Sequence, residues 1–363
     1  MEFVQSFFKF LARYKRHLTT AAFLVGFLAD IITFRTINLD TSEILLIGYL
    51  VIVAGSILIL AAPRGVEEGG IATRVREWLP IVHQFAAGNL LSAFLVLYFS
   101  SGSLSASWPF LLLVVLAAVG NETFSSDRYR VPFQMTLFFL NLVLFSALAL
   151  PIALGSLGFR EFLLSVGLSL AVFILFTLIV SLLSRHTFAQ HFKRVSSGVL
   201  GVSVLILILY FTHLMPPIPL SAKSIGFYHT VAKVGDTYIA TDERRAWYER
   251  FLDVNGVVLT LAPGEPAYLY TSIFAPAHFG SDVVHKWEMF DTASGKWILK
   301  NSVRFPILGG RQAGYRGYSI TESPATGRWR VSVETPEGAV IGRSYLTVQR
   351  IAVPVDTISE TLE

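Results

Sequence analysis

Apolar runs close to membrane-spanning length, all before Met215, are the feature that most constrains this fold. A helix needs about 20 mostly apolar residues to cross ~30 Å of hydrocarbon. The runs lie at 18–37, 44–62, 79–99, 104–120, 133–154, 162–183 and 198–215. They predict an all-α transmembrane domain of about seven spans over 18–215, preceded by a basic tail at 1–17.

The composition agrees with a membrane protein and excludes two other classes. Hydrophobic residues make up 53% of the chain and charged residues 15%, with a mean hydropathy of +0.59. A soluble domain carries about 25% charged residues, and a disordered chain has few apolar ones. The chain contains no cysteine, which excludes disulfides, thiolate metal ligands and cysteine nucleophiles.

Basic residues predict which helix ends face the cytoplasm. With the N-terminus inside, 12 of the 14 Lys and Arg residues before Met215 fall in inner segments, and only Arg35 and Arg160 fall in outer ones. Such a bias sets orientation. The first run lacks a small-x-small cleavage site, so we interpret it as an uncleaved anchor. The chain after Met215 is therefore expected outside, in the periplasm of a bacterial inner-membrane protein.

Five polar residues in or beside the apolar runs are candidates for a role inside the membrane. They are Asp30, His83, Asn89, Glu122 and Asn141. Polar groups are costly in a bilayer and often functional, so one hypothesis is a proton or solute path through Asp30, His83 and Glu122. The alternative is structural, with His83 and Glu122 solvated at helix ends and the asparagines bonding neighbouring helices.

Prolines and short alternating runs mark a change of architecture after Met215. The sequence Pro-Pro-Ile-Pro at 216–219 cannot continue a helix, so 216–222 is predicted as a linker. Short β-type runs between turn residues predict an all-β, immunoglobulin-like sandwich over 223–350, with a tail at 351–363. The predicted strands are Ile225–Val234, Thr237–Thr241, Val257–Leu261, Ala267–Ala275, Val283–Phe290, Trp297–Phe305, Tyr315–Ile320, Arg328–Thr335 and Val340–Val348. The segment Thr241–Leu252 is predicted as a short helix.

Alternation along Arg328–Glu334 predicts a half-buried strand. Trp329, Val331 and Val333 fall on its apolar face, and the other face bears Arg328, Arg330, Ser332 and Glu334.

Tryptophan and glycine motifs near the C-terminus carry a resemblance to a known family. In order they are H-x-W at 285–287, Gly-Gly-Arg at 309–311, R-x-Y-S at 316–319, G-x-W-x-V at 327–331 and G-x-x-x-G at 338–342. Over about 280–350 this order resembles a bacterial domain of unknown function. With the helices, the chain resembles an uncharacterised family of multi-span inner-membrane proteins carrying that domain. The resemblance implies an envelope protein and brings no activity and no site residues.

Aromatic and arginine residues in these motifs are the candidate ligand-binding groups. They are Trp287, Arg311, Tyr315, Arg316 and Tyr318. Aromatic faces stack on sugar rings or peptides, and guanidinium groups bind carboxylates or phosphates. The expected ligand is an envelope glycan, an anionic lipid or a protein. The alternative makes Trp287 and Trp329 core residues and the arginines solvated strand residues.

Familiar enzyme motifs, including G-x-S-x-G, H-E-x-x-H and phosphate loops, are absent from the sequence. His229, His278 and His285 are too scattered for a metal site, so we predict no catalytic residue, cofactor or metal. Nucleic acid is not expected as a partner, since the positive excess lies in the membrane half.

The predicted function is a non-enzymatic, membrane-anchored binding or scaffolding module. The alternatives are a small-solute transporter or signalling receptor and, third, an enzyme with an unrecognised site. The expected partners are the lipid bilayer and an envelope component. Small residues in the spans, such as Gly198 and Gly201, also allow a homo-oligomer.

Overall fold

A computed structural model describes residues 39–62, 71–123, 127–243, 257–277, 279–310, 314–352 and 355–362. The chain divides into two compact units, one mainly helical up to Thr212 and one mainly of β-strands from His213. We call them the helical unit and the β-unit. This order confirms the predicted change from helices to a β-rich region near Met215.

Six helices are present in the described residues of the helical unit. They are α1 (Leu39–Ala61), α2 (Ile71–Ser100), α3 (Leu104–Thr123), α4 (Asp127–Leu154), α5 (Phe159–Leu183) and α6 (Arg185–Phe211). Each is long and apolar enough to cross a membrane. The first predicted span, 18–37, lies outside the described residues, which contain six such helices where about seven were predicted for the chain.

Aromatic side chains hold α4 and α5 together, while other apolar side chains point outward. The rings of Phe139 and Phe173 lie 5.3 Å apart, and those of Phe138 and Phe176 lie 4.7 Å apart. On α6, Leu200 is 65% exposed. A helix that is apolar on its inner and outer faces suits a lipid environment better than water.

Eleven strands are present in the described residues of the β-unit. They are β1 (Ser221–Tyr228), β2 (Thr230–Val234), β3 (Thr237–Glu243), β4 (Val257–Leu261), β5 (Ala267–Phe274), β6 (Gly280–Asp291), β7 (Lys296–Leu308), β8 (Tyr315–Thr321), β9 (Gly327–Glu334), β10 (Val340–Arg350) and β11 (Thr357–Leu362). They form a three-stranded sheet β1-β5-β8, a five-stranded sheet β4-β10-β9-β6-β7 and a three-stranded sheet β11-β3-β2.

The first two sheets enclose the main core. Alternation along β9 places Trp329, Val331 and Val333 inside, each at most 3% exposed, as a half-buried strand requires. Their neighbours in the core include Phe227 and Leu269 of the three-stranded sheet. The sequence therefore located this face of β9 correctly.

The third sheet differs from the predicted organisation. Strand β11 lies within the predicted tail 351–363 and pairs antiparallel with β3 over Thr357–Leu362. Strand β1 begins inside the predicted linker 216–222. Both segments form strands because they pair with a strand that is distant in sequence. Their own alternating patterns are too short to predict a strand.

Two predicted elements also change at this end of the β-unit. The single strand Ile225–Val234 is divided at His229 into β1 and β2, which belong to different sheets. The predicted helix Thr241–Leu252 starts as strand up to Glu243, and its remainder lies outside the described residues.

Candidate functional site

The H-x-W and Y-S motifs meet in the core as one hydrogen-bonded network. His285 and Trp287 follow each other on the inner face of β6, and both are fully buried. The His285 Nδ1 lies 2.9 Å from the Ser319 Oγ, and the Trp287 Nε1–H donates to the same oxygen at 3.0 Å. On the other side of the ring, the His285 Nε2 lies 3.1 Å from the Thr271 Oγ1.

Donors and acceptors in this network are consistent with one neutral form of His285. Ser319 accepts from Trp287 and can donate its own proton to the His285 Nδ1. The Nε2–H then donates to Thr271, whose hydroxyl reaches the Gly317 carbonyl at 3.5 Å. Burial lowers the pKa of His285 to about 3, because desolvation disfavours the charged imidazolium. The network therefore joins two sheets and carries no charge.

The other motif tryptophan is also a core residue. Trp329 is 3% exposed and its Nε1–H donates to the Ala325 carbonyl at 2.8 Å. Trp287 contacts the ring of Phe227 edge to face, at 5.9 Å between centroids. Neither indole offers a free face to a ligand, so the tryptophans of these motifs belong to the core of the β-unit.

The outer face of the first sheet carries the arginine and tyrosine candidates that share a surface. Cross-strand pairing places Tyr318 beside Tyr270 and Arg316 beside Ser272. The same face of β5 bears Tyr268, whose ring lies 6.1 Å from that of Tyr318. Tyr318 is 37% exposed, while Tyr268 and Arg316 are half-buried. We call Tyr268, Arg316 and Tyr318 the tyrosine face.

The third sheet packs against one side of the tyrosine face and positions it. The Tyr238 hydroxyl donates to the Arg316 carbonyl at 3.1 Å, and its ring lies 6.3 Å from Tyr318. Tyr270 lies beneath, 2% exposed, with its ring 5.5 Å from Tyr238. Burial raises the pKa of Tyr270, and the nearby Arg316 charge opposes that shift. The rings of Tyr268 and Tyr318 therefore rest on a packed aromatic layer.

The remaining predicted binding residues do not join this surface. Tyr315 pairs with Ile273 and packs on the inner-face cluster, so it points away from Arg316. Trp287 belongs to the core, as described above. Arg311 lies outside the described residues. The predicted group of five is thus represented on this face by two members, Arg316 and Tyr318.

A second buried histidine forms an ionic cluster at the junction of β1 and β2. The His229 Nδ1 lies 2.7 Å from a Glu265 carboxylate oxygen, and its Nε2 lies 3.4 Å from one of Glu243. Backbone N–H groups of Ala262 and Thr260 donate to these two carboxylates. The hydrogen bond to Glu243 and then that to Glu265 raise the pKa of His229, although its burial opposes the shift.

This cluster is a structural clasp. His229 is 4% exposed, and both of its ring nitrogens face carboxylate oxygens. This arrangement suits the protonated imidazolium, in which both ring nitrogens are hydrogen-bond donors. The three side chains tie β1, β3 and the β4–β5 turn together. In the described part of the chain, no group of three His, Asp or Glu side chains has the arrangement needed for a metal ion.

The predicted intramembrane residues separate into two sets. At the end of α2 nearer Ile71, the His83 Nδ1 lies 2.8 Å from the Ser56 Oγ, and the Gln84 side chain donates to Glu122 at 2.9 Å. Asn89 and Asn141 are buried farther along the helices, at 4% and 0% exposure. Asp30 lies outside the described residues.

Four tyrosines of this region were missed in the sequence analysis: Tyr228, Tyr238, Tyr268 and Tyr270. The signal available was the Tyr268-x-Tyr270 repeat in β5, which puts two rings on one face of a strand. Tyr228 belongs to the same region, because its ring lies 6.5 Å from that of Tyr270. Their meeting with Tyr238 required the third sheet, which the sequence analysis did not predict.

Comparison with known proteins identifies one domain. Residues 280–348 match a family model described as a protein of unknown function (DUF2914). The matched range runs from β6 into β10 and contains the H-x-W, R-x-Y-S and G-x-W-x-V motifs. This fits the predicted C-terminal domain of unknown function. No curated protein matches the chain.

Several solved structures show a weak likeness. An immunoglobulin-like protein from Pseudomonas aeruginosa has a TM-score of 0.23 and 8% identity, covering 36% of this chain and 98% of its own. A β-glucosidase from Listeria innocua in complex with gluconolactone has a TM-score of 0.20 and 10% identity, covering 35% and 18%. The alkylpurine DNA glycosylase AlkC from Pseudomonas fluorescens, bound to DNA containing an abasic site analog, has a TM-score of 0.23 and 10% identity, covering 85% and 98%. None of these likenesses carries a functional argument.

Proposed function

We propose that this chain is a membrane-anchored binding module whose ligand surface is the tyrosine face. The observation that carries the proposal is the pair of rings Tyr268 and Tyr318, half-buried and exposed respectively, which lie 6.1 Å apart on the strand face that also bears Arg316. The packed layer of Tyr238 and Tyr270 holds these groups in place before a ligand arrives. A preorganised surface loses less conformational entropy on binding.

A glycan that carries carboxylate groups is the ligand class that this chemistry favours. Tyrosine rings present flat apolar faces to sugar rings, and the guanidinium of Arg316 binds a carboxylate with two parallel hydrogen bonds. Peptidoglycan offers both features in repeated form. An anionic lipid or a protein of the envelope are the other ligands considered.

Membrane anchoring and a periplasmic position belong to the same proposal. Six apolar helices precede the β-unit, and the Lys and Arg bias of the helical half favours an inside N-terminus. An odd number of spans, including 18–37, would place the β-unit outside the cytoplasm of a bacterial cell. An immunoglobulin-like sandwich is the finer fold assignment that we propose for the two facing sheets.

The test is co-sedimentation of the full-length protein, purified in detergent, with insoluble peptidoglycan sacculi. The variant Arg316→Ala/Tyr318→Ala is expected to bind about tenfold more weakly, since a loss of ~1.4 kcal/mol corresponds to that factor. Arg304→Ala is the matched control, because Arg304 is an exposed arginine on the five-stranded sheet that pairs with Asp282 at the surface.

A double variant that unfolds at the wild-type temperature and still co-sediments like the wild type would refute the tyrosine face as the ligand surface. Equal weakening by Arg304→Ala would show that binding is non-specific attraction to positive charge. Tyr318→Phe keeps the ring and is expected to retain most of the binding. These outcomes separate ring stacking from net charge.

A transport or signalling role for the helical unit is the second candidate. The observation that favours it is Asn141, which is fully buried on α4 and whose two carboxamide atoms have no hydrogen-bond partner among the described residues. Unpaired polar groups inside a bundle are costly. If Asn141 belongs to a solute path, proteoliposomes that contain the Asn141→Leu variant no longer take up the small solute that the wild-type protein transports. If it does not, solute uptake is unchanged and the variant is at least as stable as the wild type.

A further inference from the structure

A cavity of about 350 Å³ lies at the end of the five-stranded sheet, between the β6–β7 turn and the start of β9. Met289 and Ile298 supply apolar lining and pair with each other across β6 and β7. Met289 also pairs with the core residue Trp329, so both side chains lie on the inner face of the sheet. Trp297 and Leu299 alternate with Ile298 and face the other side. We call this space the end cavity.

The outer face of the sheet supplies one cation to the end cavity. Phe290 follows Met289 on β6 and therefore faces outward, and the Arg328 guanidinium lies 5.6 Å from the centre of its ring. Within the part of the chain that the structure describes, no carboxylate pairs with Arg328. Gly327 keeps the space beside Met289 open, because a Cβ there would lie 3.4 Å from the Met289 Cε.

A β-bulge supplies the second cation. Trp287 of β6 pairs with Asn301 of β7, and the next residue, Glu288, pairs with Leu299. This shift leaves Lys300 without a partner residue on β6. A bulge takes a side chain out of the regular alternation and can aim it at a site, and Lys300 lines the end cavity.

One carboxylate, that of Asp291, also lines the end cavity. Its oxygens accept the Ser294 hydroxyl at 2.6 Å and the N–H groups of Ser294 and Ala293 at 3.1 and 3.2 Å. These bonds and then the Lys300 charge lower the pKa of Asp291, so it is ionised at neutral pH. With Arg328, the charged lining consists of two cations and one anion, and its net charge of +1 suits one carboxylate better than a doubly charged phosphate.

The position of the end cavity favours a ligand from solution. Strand β6 runs from Gly280 to Asp291, which is about 35 Å of extended chain, and the end cavity lies at the Asp291 end. At the other end, the Gly280 N–H donates to the carbonyl of Gly155, the residue that follows α4. Lipid around the helices is therefore out of reach of the end cavity.

We propose that the end cavity binds a small apolar group that carries one carboxylate. The apolar group contacts Met289 and Ile298, and the carboxylate binds Arg328 and Lys300. A guanidinium binds a carboxylate with two parallel hydrogen bonds. A volume of about 350 Å³ is near the lower end of the range for ligand pockets, so the occupant is small. A free apolar acid and the last residue of a peptide share this chemistry. The inference is independent of the tyrosine face.

The absence of cysteine from the chain allows a test by thiol protection. Thr326→Cys places one thiol in the lining of the end cavity, and Thr361→Cys, at an exposed threonine of β11, is the matched control. The full-length protein in lipid nanodiscs reacts with N-ethylmaleimide, and the readout is the rate of modification. The added ligands are N-acetyl-leucine, N-acetyl-leucinamide and acetate, each at about 20 mM, because so small a ligand binds with millimolar affinity.

We expect N-acetyl-leucine to slow the reaction at position 326 about fivefold or more and to leave position 361 unchanged. N-acetyl-leucinamide lacks the carboxylate and acetate lacks the apolar group, so each should change the rate at position 326 less than about twofold. An unchanged rate at position 326 with N-acetyl-leucine would overturn the proposal. Equal slowing by the acid and the amide, or equal slowing at both positions, would also overturn it.

Charge variants test the two cations directly. In Lys300→Gln/Arg328→Gln protein that unfolds at the wild-type temperature, N-acetyl-leucine is expected to give no protection at position 326. Lys233→Gln/Arg304→Gln removes two exposed cations elsewhere on the β-unit and should retain the protection. Protection that survives the first pair of changes, or is lost with the second pair, would contradict the proposed carboxylate site.

A pentapeptide with a C-terminal leucine carboxylate distinguishes the two sources of ligand. Protection at about tenfold lower concentration than with N-acetyl-leucine supports the proposal and assigns the site to the end of a peptide chain. Protection at the same concentration supports it and assigns the site to a small free acid. None of these outcomes depends on whether Arg316 and Tyr318 bind glycan.

Discussion

His285 and His229 are both almost fully buried in the β-unit, but they face different partners. The two ring nitrogens of His285 face hydroxyl groups, those of Ser319 and Thr271, and burial lowers its pKa to about 3. His229 lies between Glu243 and Glu265, and their hydrogen bonds raise its pKa. Burial alone therefore does not set the charge of a histidine, because the groups within hydrogen-bond distance decide whether the proton is retained.

The two sites also serve the fold in different ways. The His285 network joins β5, β6 and β8 across the interior, where every polar group has a partner and no charge is needed. The His229 clasp joins the ends of strands at the edge of the β-unit, where carboxylates can be partly solvated. The interior site is expected to dominate stability, and the clasp is expected to respond to pH.

The largest effect is expected from His285→Ala. This change leaves a cavity and removes hydrogen-bond partners from Ser319 and Thr271, so we expect the free energy of unfolding to fall by about 3–5 kcal/mol. Urea titration of the full-length protein in detergent, followed by tryptophan fluorescence, measures the loss. His229→Ala is the comparison, and a loss as large as that of His285→Ala would remove the proposed distinction between the sites.

Ser319→Ala tests the network without a large cavity. It removes a partner from both the Trp287 N–H and the His285 Nδ1, and we expect a loss of about 2 kcal/mol in the free energy of unfolding. Ser302→Ala, at an exposed position of β7, is the matched control. If both variants lose the same amount, the hydroxyl of Ser319 does not hold the network together.

The two histidines are expected to give pH dependences of opposite sign. For His285, the unfolded state binds more protons below a pKa of about 6.5, so stability is lost as pH falls from there, by about 1.4 kcal/mol per unit. For His229, the folded state binds more protons, so its contribution is complete below about pH 6.5 and is lost as pH rises through the raised pKa. The variants His285→Gln and His229→Gln should each remove one slope.

Unfolding titrations of the wild type and both glutamine variants over about pH 4–9 measure these slopes, because that range spans the pKa of about 6.5 of an unperturbed histidine. Nitrogen chemical shifts of histidine-labelled protein give the protonation states independently. An imidazolium signal for His285 at neutral pH would contradict the assigned neutral form.

The smallest effect is expected from Tyr270→Phe. The Tyr270 hydroxyl is buried and has no hydrogen-bond partner among the described residues, so its removal should leave stability unchanged or raise it by up to about 1 kcal/mol. Tyr238→Phe is the matched change, since that hydroxyl donates to Arg316, and it should cost about 1 kcal/mol. Equal losses would show that Tyr270 has a partner of its own.

Particular residues show how far the sequence could be interpreted. Alternation in Arg328–Glu334 correctly separated buried Trp329 and Val331 from Arg328 and Arg330. It also predicted a solvated face for Ser332 and Glu334, which are instead buried at 0% and 7% exposure. Arg343 donates to Ser332 and Lys286 pairs with Glu334, and those partners come from neighbouring strands that no single strand pattern identifies.

The candidate site was predicted less completely for the same reason. Of the predicted binding residues, Arg316 and Tyr318 share the outer face of the first sheet, whereas Tyr315, next to Arg316 on the strand, points to the inner face. The Tyr238 ring, on β3 of the third sheet, joins the site through its contact with Tyr270 on β5 of the first sheet. Contacts between segments far apart in sequence have no local signal.

By itself, the sequence determined the change from apolar helices to strands near Met215, because span-length runs and period-two alternation are local properties of the chain. It also determined that the chain has no disulfide. The tertiary structure decided which motif residues are buried, which histidine faces carboxylates and which tyrosines share a surface. Those outcomes depend on strand register and on the packing of one sheet against another, and both are set by the free energy of the whole assembled unit.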